Sequence, residues 1–542
     1  MSGDIQIPLP VNERVLTYAP HSPEREAVKA ALAEMAATEI EIPLIIGGKE
    51  VRTGRTAKVI LPHRHGHVVA TYHKAGAAEV EQAIAAAAAG WREWTSWAWE
   101  DRASVFLRAA ELLAHPWRQT LNAATMLGQS KTVHQAEIDS ACELIDFYRF
   151  NTHFAERLYE DQPHSRPGIW NRMEYRPLEG FVYAVTPFNF TSIGGNLPGA
   201  PALMGNAVVW KPSSTAVYSG YYIQRLLEAA GLPPGVLNFV PGDSTAITER
   251  VLADPAFAGL HFTGSTDVFQ SLWRTIGERI ATYRTYPRIV GETGGKDFLI
   301  AHPSADIPSL RTAILRASFE YQGQKCSALS RVYVPASLWA QMKDDLLDQV
   351  EQITMGDIAD FRNFMGAVIS RSAYDKITGY IERARASHDA EILAGGAADA
   401  SEGYFIRPTV IEAKRPDFVT MCEEIFGPVV TIYVYPDDRW SETLDVLDAT
   451  SPYGLTGAVF ADDRRAVREA MDRLRFAAGN FYVNDKPTGA VVGQQPFGGS
   501  RASGTNDKAG SLLNLTRWVS ARVIKENLTP PVSYRYTFMK ES

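Results

Sequence analysis

Apolar positions along the chain follow two rhythms. Short β-prone runs at 43–46, 59–61 and 68–72 are separated by turn residues, which predicts strands. Elsewhere in the first 150 residues the period is helical. It predicts helices over 23–35, 77–89, 102–113 and 137–150, with Gly90 ending the second and Pro116 following the third. Trp91, Trp94, Trp97 and Trp99 read as packing residues, and Cys142 as a core residue of the last helix. At 160–180 Pro163, Pro167 and Gly168 break helix, and the polar run to Pro177 reads as an exposed excursion.

Beyond it, strands and helices alternate. Strands are expected at 181–185, 207–210, 237–240 and 260–262, with helices over 217–230 and from Gly264-Ser265-Thr266 onward. The alternation restarts near 297, with strands at 298–301, 331–334, 433–435 and 458–460 and helices over 307–319, 338–353, 372–386 and 463–474. Such alternation predicts doubly wound, mostly parallel sheets. Two successive α/β units follow, one suited to a nucleotide and one carrying Cys326. The tail from about 515 is polar and β-prone, with Pro530-Pro531, as in segments that pair with another subunit.

Bulk properties narrow the function classes. A net charge of −8 over 542 residues argues against a nucleic-acid protein, which needs a basic face. No run approaches the roughly 18 apolar residues of a membrane span. Three cysteines are too few for a disulfide framework and fit a reducing compartment. The N-terminus has neither an apolar signal core nor an Arg-rich amphipathic pattern, so a cytoplasmic location is expected. His63, His65 and His67 alternate, but Pro62 and Gly66 suggest a turn and no Cys or carboxylate completes a set, so no metal site is expected.

Candidate chemistry centres on Cys326. It sits among Gly323, Gln324 and Lys325 rather than in an apolar run, and Lys325 is a candidate to lower its pKa. Glu292 lies upstream in the glycine-rich turn 291–296. A thiol and a carboxylate on separate loops suit covalent catalysis. A Gly-x-Gly-x-x-Gly fingerprint and a P-loop are both absent. Two weaker nucleotide signals remain. Gly264-Ser265-Thr266 follows a strand and opens a helix, where free N–H groups suit a pyrophosphate, and Lys211 ends a strand within reach of ribose hydroxyls.

Seven ordered motifs begin at Thr186, Lys211, Phe262, Glu292, Gly323, Glu423 and Pro496. In that order, from about residue 40 onward, they resemble the aldehyde dehydrogenase superfamily, which lacks the usual dinucleotide fingerprint. Four runs, at 135–139, 194–206, 484–489 and 492–507, are similar to the 1-pyrroline-5-carboxylate dehydrogenase family. The resemblance implies two doubly wound α/β domains plus a small β oligomerisation flap. It places NAD binding in 1–159 and 181–295, catalysis in 296–509, and the flap in 160–180 and 510–542.

It also implies a chemistry, NAD-dependent oxidation of L-glutamate γ-semialdehyde to L-glutamate. Cys326 would be the nucleophile, Glu292 the base for thioester hydrolysis, and Asn189 with the Cys326 N–H the oxyanion hole. Thr186, Lys211, Gly264, Ser265 and Glu424 would bind the cofactor. Ser214, where many NAD-preferring relatives carry glutamate, implies NAD preference with some NADP tolerance. Ser327, Gly489 and Ala490 would hold the substrate carboxylate, and Phe190 and Phe497 would sandwich its methylenes. Some relatives have serine where Ala490 stands, so a hydroxyl donor is missing there. At least a homodimer is implied, with transient contact to proline dehydrogenase as a further possibility. Two rivals stay open: an aldehyde dehydrogenase for another aldehyde, such as succinate semialdehyde, and a non-catalytic structural or binding relative.

Overall fold

The computed structural model describes residues 5–540. The central strands of its two largest sheets are mostly apolar. Ala207–Lys211 and Phe257–Thr263 are buried at every position, as parallel strands covered on both faces require. The first sheet has seven strands. Its parallel part runs Arg288–Glu292, Phe257–Thr263, Phe181–Val185, Ala207–Lys211, Leu237–Phe239. Two short antiparallel strands, Leu44–Ile46 and Lys49–Val51, extend it. The second sheet also has seven strands, in the order Ala390–Ala394, Thr409–Ala413, Val429–Tyr435, Leu329–Pro335, Asp297–Ala301, Thr456–Phe460, Asn480–Val483. All its pairings are parallel except that of Ala390–Ala394.

In the first sheet the chain moves outward from Phe181–Val185 and then returns to pair Phe257–Thr263 on that strand's other side. A crevice opens beyond the carboxyl ends of strands at such a reversal. Thr186 and Gly264, the residues after these two strands, lie at its mouth. Cys326 and Glu424 precede the strands Leu329–Pro335 and Val429–Tyr435. The carboxyl ends of one sheet therefore meet the amino ends of the other at a shared cleft.

Several expected boundaries hold closely: Phe181–Val185, Val217–Ala230 and Ile307–Phe319 are observed as read. Others change for identifiable reasons. The helix Ala77–Trp94 runs through Gly90 instead of ending there. A Cβ at Gly90 would lie 2.6 Å from the Gly235 carbonyl carbon, so this glycine permits a close backbone approach. The span expected as one helix over 137–150 begins as a π-helical turn, Glu137–Glu143, before the helix Leu144–Glu160. Wide turns of this kind recur at functional sites. Trp94 is fully buried and donates to the Ala202 carbonyl, and Trp91 donates to that of Leu178, so both indoles pack as read.

The excursion near 160–180 is half structured. Its strand Ile169–Pro177 pairs antiparallel with Val519–Asn527 over nine residues. Residues 510–518 do not belong to this flap. Leu515 and Trp518 are buried in the core of the first unit, and Asn206 donates to the Trp518 carbonyl. The three histidines diverge: His63 meets Ser130, His65 the Ala400 carbonyl and His67 the Ala36 carbonyl. No helix among the described residues is long and apolar enough to cross a membrane.

The Gly90 contact is testable. Gly90→Ala is expected to cost about 1–3 kcal/mol through overpacking and to lower the thermal midpoint. Gly277→Ala is the control: it sits in the helix Thr266–Glu278 with nothing within 4 Å of the added methyl, so its midpoint stays level or rises.

Candidate active site

The Cys326 loop is held in an unusual backbone conformation. Tyr321 (φ 51°), Gln322 (φ 55°) and Gly323 (φ 65°) are consecutively left-handed. For non-glycine residues this costs roughly 1–3 kcal/mol each and persists only where surroundings over-determine it. Here the Gln322 amide donates to the Ser130 and Ala367 carbonyls and accepts from the Gly366 N–H. Gln324 accepts from the Ile369 N–H. A Cβ at Gly323 would lie 2.3 Å from the Gly427 carbonyl oxygen, so no other residue fits.

Asn189 approaches this loop from the first unit, its Nδ2 donating to the Gln324 carbonyl at 3.2 Å. One amide hydrogen is used there and the second is free for an oxyanion. Asn189 is placed by the helix Thr191–Leu203, whose Thr191 and Ser192 N–H groups are capped by the Asp139 carboxylate at 3.0 and 2.9 Å. Asp139 is in turn paired with buried Lys131 at 2.7 Å. The Lys131 ammonium lies 4.2 Å from the Phe190 ring centre and 4.4 Å from that of Tyr321. This cation–π pair ties the Asn189 segment to the cysteine loop.

Glu292 ends the edge strand Arg288–Glu292, so it stands on a strand terminus and not in the turn expected. The segment 503–505 grips it: Thr293 N–H donates to the Ser503 carbonyl and Thr505 N–H to that of Gly291. Burial pushes the Glu292 carboxyl up to about 8, with Lys508 opposing and Asp507 adding to the rise. Burial also pushes the Cys326 thiol well up, and the Glu292, Asp297 and Glu424 carboxylates push it further. Lys325 does not counter this. Its ammonium pairs with Glu320 at 3.0 Å, so the expected role of Lys325 as thiol activator is replaced by a structural ion pair.

A cavity of about 510 Å³ opens on the cysteine and collects seven of the expected residues: Thr186, Asn189, Lys211, Gly264, Ser265, Cys326 and Glu424. Its features suit a dinucleotide. Ser265 caps the helix Thr266–Glu278 without a side-chain hydrogen bond, so the first N–H groups of that helix are free. Lys211 is buried, touches only the Ser244 hydroxyl at 2.5 Å, and is pushed down to about 8 by burial. The Thr263 hydroxyl is buried without a partner. The Glu424 carboxylate is held against the 294–295 backbone by the Gly295 N–H at 2.8 Å.

On the other side of Cys326 lie the residues expected to hold substrate. Ser327 Oγ is 2.8 Å from Thr488 Oγ1, which joins the cysteine loop to Gly489 (φ 97°) and Ala490. Phe497 makes a two-bond bridge with Ala509. One residue that sequence reasoning missed stands beside the Asp139 cap of the helix Thr191–Leu203. Glu143 is deep yet water-accessible, accepts from Ser192 Oγ at 2.9 Å, and has no cation partner among the described ion pairs. Burial and the neighbouring Asp139 push its carboxyl up to about 8. On sequence it reads as one polar position of an amphipathic helix. Only its neighbour Asp139 falls in a motif-like run.

A family model for the aldehyde dehydrogenase family matches residues 50–523. The chain belongs to the aldehyde dehydrogenase family. The mitochondrial Delta-1-pyrroline-5-carboxylate dehydrogenase of Dictyostelium discoideum is 52% identical over 536 residues, covering 98% of this chain and 96% of its own. The probable delta-1-pyrroline-5-carboxylate dehydrogenase of Schizosaccharomyces pombe is 52% identical over 540 residues, 98% of each chain. The solved Delta-pyrroline-5-carboxylate dehydrogenase of Mycobacterium tuberculosis, bound with NAD, superposes with a TM-score of 0.97 at 54% identity over 100% of both chains. The fold of this aldehyde dehydrogenase is therefore shared end to end with those relatives.

The Glu292 environment sets a pH dependence. A carboxyl raised to about 8 is protonated at neutral pH and becomes a base as the pH rises. Steady-state aldehyde oxidation should therefore climb through about pH 8. Glu292→Gln should lose that limb and slow turnover by about 10²–10⁴-fold. A pH–rate profile unchanged by the substitution would remove Glu292 from the chemistry.

Proposed function

We propose that this protein is an NAD-dependent dehydrogenase that oxidises L-glutamate γ-semialdehyde to L-glutamate. Two observations support this reading: the Ser327–Thr488 contact joins the cysteine loop to Gly489, and Glu143, bonded through Ser192 to the helix that follows Phe190, has no ion-pair partner among the described residues. An amino acid presents both a carboxylate and an ammonium. Backbone N–H groups around Gly489 and the Ser327 hydroxyl suit the first, and Glu143 suits the second. A substrate ammonium beside Glu143 would favour its ionised form, which turns a costly buried carboxylate into a paired one. Succinate semialdehyde lacks the ammonium and would gain no ion pair from Glu143.

The chemistry follows from the site. Cys326 Sγ attacks the aldehyde carbon as a thiolate, its proton passing to water. The Asn189 amide hydrogen that is not bonded to Gln324 stabilises the resulting oxyanion. NAD, when bound, would supply the hydride acceptor that turns the hemithioacetal into a thioester. Lys211 and Glu424, which line the same cavity, would hold ribose hydroxyls, and the Thr266–Glu278 helix terminus would hold the diphosphate. Glu292 then activates the water that releases glutamate from the thioester.

The flap suits a second copy of this chain. Its two-stranded ribbon exposes Trp170 and Val523, and the tail beyond it exposes Tyr534, Tyr536 and Phe538. An apolar surface of this kind marks an interaction site, and a homodimer is the assembly we assign to it. Transient contact with proline dehydrogenase, the source of the substrate, belongs to the same reading.

NADH formation with L-glutamate γ-semialdehyde, succinate semialdehyde and acetaldehyde tests the assignment. Preference for the first by at least tenfold in kcat/KM is expected, and Glu143→Gln should erase most of that preference while leaving acetaldehyde oxidation within about threefold. Equal turnover of all three aldehydes would overturn the substrate assignment and keep only the aldehyde dehydrogenase chemistry.

A further inference from the structure

The loop that carries Gly489 and Ala490 is a compact turn. Val491 N–H donates to the Gln495 side chain, and the Gln494 and Gln495 N–H groups both donate to the Val491 carbonyl. Within 488–495, besides the bond from nearby Lys486 Nζ to the Thr488 carbonyl at 3.2 Å, hydrogen bonds to segments distant in sequence occur at two places among the described residues. One is Thr488 to Ser327 in the cysteine loop. The other is a single side chain from the far N-terminus. Asn12 Nδ2 donates to the Val492 carbonyl at 2.8 Å, and Asn12 Oδ1 accepts from Gln494 Nε2 at 2.9 Å.

Asn12 also faces the opposite way. Its Nδ2 donates to Asp146 Oδ2 at 2.8 Å, while the next backbone N–H, that of Glu13, donates to Asp146 Oδ1 at 2.7 Å. Asp146 lies in the first turn of the helix Leu144–Glu160, directly after Glu143. The same helix meets the loop at Gly493, where an added Cβ would lie 2.2 Å from the Phe150 ring. Asn12 therefore bridges the two elements that face the two ends of an amino-acid head group: the loop beside the carboxylate and the helix beside the ammonium.

We propose that Asn12 is a positioning residue for substrate recognition, and that through it the N-terminal arm sets the spacing between the carboxylate-binding loop and Glu143. The proposal rests on the amino-acid reading of the site given above. Asn12 touches neither substrate nor reacting atoms. Its effect falls on binding of an aldehyde that bears both charged groups and spares an aldehyde that bears neither. The arm has its own anchors: Leu16 N–H and Tyr18 Oη donate to buried Glu137, which is paired with Arg118. Loss of the Asn12 side chain therefore leaves the arm docked.

The test compares Asn12→Ala, Gln494→Ala and the double variant in the full chain, with L-glutamate γ-semialdehyde and propanal as substrates. Asn12→Ala should raise KM for the semialdehyde about threefold to tenfold, as loss of one exposed and two part-buried hydrogen bonds allows, with kcat within twofold. kcat/KM for propanal should stay within twofold. Gln494→Ala removes one of the two loop bonds and should give a smaller rise, and the double variant should be no worse than Asn12→Ala. Unchanged kinetics, or equal losses with both aldehydes, would overturn the proposal, the latter marking a general structural role. A wild-type protein that oxidises propanal but not the semialdehyde would sink the substrate reading and this assignment with it.

Discussion

The site depends first on the left-handed turn at Tyr321, Gln322 and Gly323. A relaxed chain would not adopt it, and the local bond from the Gln324 N–H to the Tyr321 carbonyl is not enough to hold two non-glycine residues there. It is held by side-chain amides reaching to segments distant in sequence, 130 and 366–369. Because those bonds fix the loop, Cys326 has one place to be. Asn189 meets the Gln324 carbonyl, Ser327 meets Thr488, and Gly295 packs so tightly that a Cβ would lie 2.4 Å from the Cys326 carbonyl oxygen. The cofactor side and the substrate side of the cleft are both referenced to this turn.

Burial then sets the electrostatics. Two carboxyls, Glu292 and Glu143, are both raised to about 8, each by desolvation before any neighbour's charge. The nearest lysine on the cysteine loop is spent on Glu320. The resting site therefore holds a protonated thiol and protonated carboxyls, and it acquires charge as the reactants arrive. This arrangement suits a general base, whose effectiveness is greatest when its pKa lies near the working pH. Glu143 fits the same logic on the binding side, where an incoming ammonium supplies the missing partner.

Much of the scaffold was legible in the chain. Buried parallel strands are short apolar runs bounded by turns, and Phe181–Val185 and the helix Ile307–Phe319 stand out on that basis. The candidate reacting residues stand in motifs, because chemistry constrains residue type within a few positions. What stayed hidden depends on contacts far apart in sequence. The helix Thr191–Leu203 carries Pro198 and Pro201 and two adjacent glycines, all poor helix signals. It forms because Asp139 caps it and because Gly195 lets Leu144 and Tyr148 close in. Gly90 misled for a similar reason, since a close approach and a helix end call for the same residue. Glu143 and Asn12 gave no local signal, because their meaning lies in what the fold brings beside them.

If Cys326 carries the acyl group and Glu292 releases it, the acyl-enzyme accumulates once Glu292 is removed. Intact-protein mass spectrometry of Glu292→Gln, mixed with NAD and L-glutamate γ-semialdehyde and followed by peptide mapping, tests it directly. The account predicts one acyl group per chain, borne by the peptide containing Cys326 and absent when Cys326→Ala is added. An unmodified Glu292→Gln protein that still forms NADH at the wild-type rate, or an adduct on another residue, would contradict it.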